Sequence, residues 1–330
     1  MKTRVTIGIF LVLTVLAMAS LFPAASQTGQ NVAGSLQPPP NPLKVALLKW
    51  YQINLVPTMF PVGSQPYGIA FDGANMWVAN FANSTVSKLR ANDGATLGTF
   101  NVGSEPYGVT FDGANIWVSN LGGATVSKLR ASDGKTLGTF SAGAFPGWMA
   151  FDGANIWVPN GFNNLTKLRA SDGKILGTFT VGNGPLAAAF DGANVWVTNT
   201  GDGTVTKVQA SDGKVLGTFT VGYAGAGAPT GIAFDGASMW TANQNAGTAT
   251  KLRVSDGTIL GQFNTGTSPY GLAFDGTNIW FAGGVWVSEL RASDGALLGV
   301  WRPNTNTIGV AFDGANVWIT GLNSGTVLKF

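Results

Sequence analysis

Two residue types that often carry chemistry are missing from this sequence. None of its 330 residues is cysteine, so the chain has no disulfide, no thiolate nucleophile and no thiolate metal site. None is histidine, which removes the commonest general base and the commonest transition-metal ligand. Charged residues make up only 11% of the chain, whereas 45% is hydrophobic and 47 residues are glycine. This composition is typical of a β-rich, tightly turned and weakly charged protein.

A repeat occupies most of the chain. Its core is Phe-Asp-Gly-x-x-x-Trp, and successive copies are 38 to 44 residues apart. Repeats of this length are typical of arrays and propellers. The phenylalanines of the seven copies are Phe71, Phe111, Phe151, Phe190, Phe234, Phe274 and Phe312.

Each repeat contains four short strand candidates separated by turn signals. In the first copy these candidates are residues 67–71, 76–79, 85–90 and 96–100. Asp-Gly pairs make tight turns after the first and third of them. Four strands in each of seven repeats predict an all-β, seven-bladed β-propeller of four-stranded blades.

The last repeat indicates how the ring closes. It runs through three strand candidates and stops at Phe330, whereas residues 55–63, upstream of the first copy, resemble the fourth strand at 97–103. We therefore predict that an N-terminal strand completes the last blade. Closure removes the exposed blade faces that an open array would leave.

The N-terminal region has the pattern of a secretory leader. Lys2 and Arg4 precede an apolar run, and small residues offer a cleavage site after Ser26. We predict a signal peptide at 1–26, a linker and short helix at 27–51, and the propeller at 52–330. The mature protein would be secreted, periplasmic or extracellular, with no membrane contact after cleavage. An uncleaved membrane anchor is the alternative.

One tryptophan in each repeat has a fixed position. A tryptophan series could form a binding ring, but we predict that these side chains fill the gaps between neighbouring blades and are structural. They are Trp77, Trp117, Trp157, Trp196, Trp240, Trp280 and Trp318.

Basic residues recur in pairs on the third strand, as in Lys88 and Arg90. Residues two apart share one strand face. We predict a solvated face near the turn aspartates, with a basic girdle for an anionic polymer as the alternative. Without Lys2 and Arg4, 17 basic residues face 16 acidic ones, so the charge gives little support for nucleic-acid binding.

Turns account for most of the acidic residues. Seven of the 16 belong to Phe-Asp-Gly, and six more precede the glycine of the later turn. Only Glu105, Asp202 and Glu289 remain, and hydrolysis by paired carboxylates needs two facing acids. We therefore predict no catalytic residue, no cofactor and no metal ligand. A Ca²⁺ site built from turn aspartates stays open.

The motif Trp-Val-x-Asn recurs at 77–80, 117–120 and 196–199, with Val-Gly before the first strand of the repeats. By these motifs, residues 52–330 resemble the YVTN family of β-propeller repeats and the wider group of NHL-like propellers that includes streptogramin lyases. The resemblance implies a propeller fold. Streptogramin lyases use catalytic histidines with a glutamate and a divalent metal, and this chain has no histidine to match them.

The repeats differ in the loops that precede the first strand and in those that follow the second. In propellers of this kind both sets of loops share one face. Amphipathic aromatic residues on such a face commonly form recognition surfaces. We predict a ligand-binding surface formed by Tyr67, Glu105, Tyr107, Trp148, Tyr223 and Tyr270. The alternative is that proline and the aromatic residue only fix the path of the chain into the first strand.

Three functional hypotheses follow. The first is a secreted, monomeric, non-enzymatic propeller that binds a protein or glycan through the variable loop face. The second is a metal-dependent enzyme of the lyase or lactonase type, with a metal held by Glu105, Asp202 and asparagines. The third is a structural protein of the envelope or an extracellular matrix.

Overall fold

The computed structural model describes residues 57–222 and 228–330. The predicted signal peptide, the predicted linker and helix, and Tyr223 lie outside the described residues. Within them, 28 strands form seven antiparallel sheets of four strands each. The predicted seven-bladed β-propeller is therefore confirmed. No helix in the described ranges is long and apolar enough to span a bilayer.

We number the blades 1 to 7 and name their strands A to D from the channel outward. Blade 1 comprises Pro66–Phe71, Asn75–Asn80, Thr85–Arg90 and Thr96–Asn101. Blade 2 comprises Pro106–Phe111, Asn115–Asn120, Thr125–Arg130 and Thr136–Ser141. Blade 3 comprises Ala150–Phe151, Asn155–Asn160, Asn164–Arg169 and Ile175–Thr180. Blade 4 comprises Pro185–Phe190, Asn194–Asn199, Thr204–Gln209 and Val215–Thr220.

The remaining three blades follow the same order. Blade 5 comprises Pro229–Phe234, Ser238–Asn243, Thr248–Arg253 and Ile259–Asn264. Blade 6 comprises Gly271–Phe274, Asn278–Gly283, Trp286–Arg291 and Leu297–Trp301. Blade 7 comprises Thr307–Phe312, Val317–Gly321 and Thr326–Lys329, with Thr58–Pro61 as its strand D. A 3-10 turn at Phe81–Asn83 follows strand B of blade 1.

Strand D of blade 7 comes from the N-terminal side of the propeller, as predicted. Thr58–Pro61 pairs antiparallel with strand C of blade 7, from Thr58 opposite Lys329 to Pro61 opposite Thr326. Phe60 stacks on Trp318 at 5.5 Å, which reproduces the 5.5 Å contact between Phe100 and Trp77 in blade 1. The strand therefore replaces a blade's own strand D in both pairing and packing.

The repeated tryptophans lie between blades. Trp117 of blade 2 packs against Ile156, Val158 and Leu168 of blade 3, and the same arrangement recurs around the ring. Six of the seven side chains are 0% exposed, and Trp280 is 7% exposed. The core is consequently a ring of inter-blade clusters rather than one central mass.

Each of these tryptophans is also tied to the aspartate of Phe-Asp-Gly, which sequence reasoning had assigned only to a turn. The Trp117 indole N–H donates to Asp112 Oδ2 at 2.7 Å, while Asp112 Oδ1 accepts from the backbone amides of Ala114 and Asn115. All seven blades repeat the indole–carboxylate bond. The turn and the inter-blade packing are therefore coupled through one carboxylate.

The prediction for the basic strand C residues is right for the arginines and wrong for the lysines. Arg90 is half exposed and pairs with Asp93 at 3.0 Å. Lys88, in contrast, is only 7% exposed. Its ammonium lies 5.1 Å from the Trp77 ring centre and donates to the Ala131 carbonyl of blade 2 at 2.7 Å. The lysine stem covers the tryptophan, and the next blade supplies the acceptor that a buried ammonium requires.

Strand D is an outer edge, and a β-bulge interrupts it in six blades. In blade 1 the register shifts between Lys88 and Leu89, which leaves Leu97 without a partner on strand C and 44% exposed. Bulges at sheet edges hinder pairing with another chain. The exposed leucines that recur on strand D therefore lie at bulges that protect the sheet edge.

Candidate functional site

The loops before strand A and after strand B lie on one face of the ring, which we call the variable face. Hydrogen bonds join the two loops within a blade: Phe81 N–H donates to the Gln65 carbonyl, and Leu121 N–H to the Glu105 carbonyl. Gln65 and Glu105 adopt positive φ angles of 52° and 54° just before the proline that begins strand A. This kink directs the following tyrosine towards the channel mouth.

Five aromatic residues from four blades meet at this mouth, and we call them the mouth cluster: Tyr67, Phe81, Tyr107, Trp148 and Tyr270. The Tyr67 ring centre lies 5.0 Å from those of Phe81 and Tyr107. Trp148 stacks on Tyr107 at 5.5 Å and meets Tyr270 edge to face at 5.4 Å. Four of the six predicted site residues are thus in one continuous set of ring contacts.

A hydrogen bond crosses the channel mouth. The hydroxyls of Tyr107 in blade 2 and Tyr270 in blade 6 lie 2.6 Å apart. Burial raises the pKa of Tyr107 well above its ordinary value, and Tyr270 raises it further. Burial also raises the pKa values of Tyr270 and Tyr67. The mouth is therefore an uncharged aromatic surface at neutral pH.

Trp148 reaches the cluster because blade 3 changes the order of the repeat. Blades 1, 2 and 6 read Pro-Tyr-Gly at or just before the start of strand A, whereas blade 3 reads Pro146-Gly147-Trp148. A side chain on Gly147 would lie 2.0 Å from the Leu186 carbonyl oxygen of blade 4. Trp148 also makes backbone hydrogen bonds with blade 4, donating to the Leu186 carbonyl and accepting from the Ala188 amide. The exchange of tyrosine and glycine thus moves the aromatic ring one residue along the strand.

The aromatic residues differ in how accessible they are. Tyr107 is only 5% exposed, whereas Tyr67, Trp148 and Tyr270 are half-buried. Tyr107 consequently supports the other rings more than it offers a surface of its own.

Blade 3 presents a second aromatic pair that sequence reasoning did not select. Phe145 and Phe162 are 56% and 70% exposed, and their ring centres lie 6.4 Å apart. Both have positive φ angles, 50° and 75°. The Phe145 angle repeats that of Gln65 and Glu105 at the same position before proline, whereas the Phe162 angle is one that phenylalanine rarely adopts, and strained exposed residues concentrate at functional sites. The sequence signal for this pair was that both variable loops of blade 3 depart from the residues repeated in the other blades.

Trp286, in the equivalent region of blade 6, is a further residue that was missed. It is 37% exposed, and the Arg302 guanidinium lies 5.4 Å from its ring centre. Cations over indole rings are a recurrent recognition element. The sequence carried a clue, because Trp286 falls outside the position that seven other tryptophans share.

The three acids left over from the turns do not come together. Glu105 lies in the loop before strand A of blade 2, against Gly122. Asp202 Oδ2 accepts from the Asn183 amide at 2.6 Å in blade 4, and Glu289 is on strand C of blade 6. Across residues 57–222 and 228–330, no three Asp, Glu, His or Cys side chains are grouped so as to hold a metal.

The asparagines that end strand B of blades 1 to 5 are buried inside the blades. Asn120 is fully buried, and its side-chain amide donates to Thr125 Oγ1 at 3.0 Å and Ser127 Oγ at 2.9 Å. Asn80, Asn199 and Asn243 bond their own strand C in the same way. These residues tie the loop after strand B to strand C.

No protein-family model matches the sequence, and no curated protein matches it. Solved structures do match the fold. Virginiamycin B lyase from Staphylococcus aureus has a TM-score of 0.71 at 17% identity, over 83% of this chain and 98% of that chain. Kuenenia stuttgartiensis hydrazine synthase has a TM-score of 0.72 at 16% identity, over 84% and 98%. A streptogramin B lyase has a TM-score of 0.69 at 19% identity, over 83% and 96%. The chain is thus a β-propeller with a fold similar to that of streptogramin B lyases.

Proposed function

We propose that this chain is a secreted, non-enzymatic β-propeller that binds a protein or glycan partner on its variable face. The mouth cluster carries the proposal. Half-buried tyrosine and tryptophan rings, already ordered by their contacts with one another, offer contact area at little cost in conformational entropy. Hot spots of protein interfaces are enriched in such residues.

Two groups of residues extend this surface. The Phe145–Phe162 pair adds an exposed apolar contact in blade 3, and Trp286 with Arg302 adds an amphipathic one in blade 6. An apolar centre with a partly polar periphery is the usual anatomy of a recognition surface. Glu105 would contribute a negative charge near blade 2.

The alternative of a metal-dependent lyase or lactonase draws on the similarity in fold to streptogramin B lyases. The donor set fits a metal poorly. Asp202 accepts a hydrogen bond from a backbone amide, and the side chains of Asn80, Asn120, Asn199 and Asn243 are fully buried inside four different blades. Glu105 and Glu289 lie in blades 2 and 6.

Several finer assignments belong to the same proposal. We assign the repeats to the YVTN type on their Trp-Val-x-Asn motifs, and we propose a cleaved signal peptide at 1–26 and a monomeric mature protein without a nucleic-acid partner. A purely structural role in an envelope or matrix is the remaining alternative.

The test is capture of partners from culture supernatant and envelope fractions, together with a glycan array. Phe162→Ala and Trp148→Ala are expected to weaken binding about tenfold or more, because each removes a contact of the variable face. Leu176→Ala is the matched control, since Leu176 is an exposed apolar residue of the same blade on outer strand D. Full retention of every partner by both aromatic variants would place the binding surface elsewhere.

A separate measurement addresses the enzymatic alternative. Purified protein should contain no stoichiometric divalent ion, and Ca²⁺ or Mg²⁺ should not raise its Tm. A bound ion that is lost in Glu105→Gln or Asp202→Asn would favour the lyase or lactonase hypothesis instead.

A further inference from the structure

Trp286 and Arg302 occupy a pair of positions that differs between blade 6 and the other blades. Trp286 begins strand C and Arg302 directly follows strand D, so both lie at the variable-face end of the blade. Blades 1 to 5 have threonine or asparagine opposite asparagine, serine or threonine at these positions, as in Thr85 opposite Asn101. Blade 6 therefore replaces two small polar side chains with an indole and a guanidinium.

The charge of Arg302 is not neutralised within the described part of the chain. The other five arginines there each pair with an aspartate three residues later, at 2.8 to 3.2 Å. Arg302 is exposed, and no carboxylate of residues 57–222 or 228–330 lies within ion-pair distance of it. The described loops of the variable face contain no other basic residue. A ligand on this face therefore meets one positive charge, held over the Trp286 ring.

The guanidinium of Arg302 suits a planar oxyanion. A guanidinium that lies over an aromatic ring still presents its N–H groups along its edge, and two of them match the two oxygens of a carboxylate. The contact with the Trp286 ring limits the rotation of the arginine side chain, so less conformational entropy is lost when a ligand binds.

The surroundings of Arg302 are polar but uncharged. The loop at 264–268, which follows blade 5, faces this side of blade 6, because a side chain on Gly266 would lie 3.2 Å from Val300, two residues before Arg302. The exposed polar side chains of the loops on either side of blade 6 are Asn264, Ser268 and Asn304. Amides and hydroxyls exchange hydrogen bonds with the hydroxyls of sugars, whereas the core of a protein interface is mainly apolar.

The mouth cluster is within reach of the same ligand. Tyr270 directly precedes strand A of blade 6, and Trp286 begins strand C of that blade. Neighbouring strands are about 4.8 Å apart, so strands A and C are separated by about 10 Å. A short oligosaccharide spans this distance. One ligand can therefore contact the mouth cluster and Arg302 together.

We propose that Arg302 binds the carboxylate of an acidic sugar residue, so that the partner of the variable face is a glycan that contains carboxylated sugars. This inference rests on the function proposed above and names the chemistry of the partner. Trp286 is a positioning residue that holds the guanidinium. The uncharged rings of the mouth cluster contact the C–H faces of neighbouring sugars.

A glycan array that carries oligomers of glucuronic, galacturonic and sialic acid beside neutral oligosaccharides tests the class of partner. We expect the carboxylated oligomers to bind, and their methyl esters to bind at least tenfold more weakly, because an ester cannot form the charge-assisted bidentate bond. Binding of neutral glycans alone, or of protein partners without any glycan, would overturn this inference and leave the proposed function standing. Failure to bind any partner would overturn both.

Variants locate the carboxylate, with the array oligomer of strongest signal as the titrated probe. Arg302→Ala should weaken binding at least tenfold, and added salt should weaken binding by the wild type more than by the variant. Arg302→Lys keeps the charge but loses the fork, so it should still lose severalfold. Arg130→Ala, which removes an exposed arginine beside an Asp-Gly turn, is the matched control and should leave binding unchanged. Unchanged binding in both Arg302 variants would overturn the assignment.

A double-mutant cycle tests the role of Trp286. Trp286→Ala should weaken binding severalfold in the wild type but have no further effect in Arg302→Ala, because its contribution acts through the guanidinium. Equal losses in the two backgrounds would overturn the positioning role.

Discussion

The Asp-Gly turns and the variable face lie at opposite ends of the same strands, yet their residues are held in different ways. At the turns, each blade repeats one set of bonds, as when Asp112 accepts from Trp117 and two backbone amides. At the variable face, the Tyr107–Tyr270 bond links blades 2 and 6 and has no counterpart among the described residues. Contacts between adjacent blades recur around a ring, whereas the channel mouth has room for few side chains. The repeat is therefore broken where all seven blades converge.

Blade 6 differs from the other blades at a repeated position of strand C, and its packing differs as well. Its strand C carries Glu289 where the other six blades have lysine, and Trp280 is the one repeated tryptophan with measurable exposure. Trp301 and Phe330 pack on Trp280 at 5.2 and 5.9 Å. Trp301 stands where other blades have the strand D phenylalanine, and Phe330 stands where they have the strand C leucine of the next blade, so larger aromatic side chains cover Trp280.

The largest expected effect compares a repeated tryptophan with an exposed phenylalanine. Trp117→Ala should lower the free energy of unfolding by about 3–5 kcal/mol, because it leaves a cavity between blades 2 and 3. Phe162→Ala, at 70% exposure, should change it by less than about 0.5 kcal/mol. Urea denaturation followed by circular dichroism measures both. Equal losses of unfolding free energy in the two variants would contradict the difference in packing between the inter-blade clusters and the variable face.

The next effect concerns the aspartate of the turn. Asp112→Asn places an amide against the Trp117 indole N–H, so two donors face each other, and the free energy of unfolding should fall by about 2 kcal/mol. Asp133→Asn, at an exposed turn, should lower the free energy of unfolding far less, and urea denaturation of both variants measures the difference.

The acid dependence of Asp112 checks the same contact. Burial alone would raise the pKa of Asp112, but hydrogen bonds from Trp117, Asn115 and backbone amides hold it below its ordinary 3.8. The lowered pKa stabilises the folded state above about pH 4, and this contribution is lost as the pH falls through the folded-state pKa. Asp112→Asn should therefore lose less stability on acidification than the wild type.

The third prediction has the opposite sign and concerns blade 6. Burial, with the nearby Asp275, raises the pKa of Glu289 to about 7, despite a hydrogen bond from Asn278. The folded state therefore holds its proton more tightly than the unfolded state, and stability should fall as the pH rises from about 5 to 8. Glu289→Gln keeps an acceptor for Asn278 and should be about 1 kcal/mol more stable than the wild type at pH 8. Identical pH profiles for the two proteins would contradict this assignment.

The smallest effect is expected at the exposed ion pairs. Arg130 bonds Asp133 at 2.8 Å, but both side chains are about half exposed. Arg130→Ala should change the free energy of unfolding only slightly, and added salt should reduce even that difference. Lys128→Ala, two residues earlier, removes a buried bond to the Ala170 carbonyl and should cost clearly more.

Part of the site followed from the sequence and part did not. The aromatic residues before strand A could be selected because they fall where the repeats differ. The burial of Tyr107, its bond to Tyr270 and the position of Arg302 over the Trp286 ring could not. Each depends on a contact between side chains of different strands or loops, and a repeat pattern carries no information about such a pairing.

The number of blades, the strands within them and the closure by Thr58–Pro61 follow from the repeat, because turns and strand alternation are local and the period recurs seven times. The burial of Lys88 and the hydrogen bond between Trp117 and Asp112 are visible only in the folded ring. The same holds for the contact between Tyr107 and Tyr270, which are 163 residues apart. Ring closure brings these residues together, and closure is a property of seven blades packed in order rather than of any one repeat.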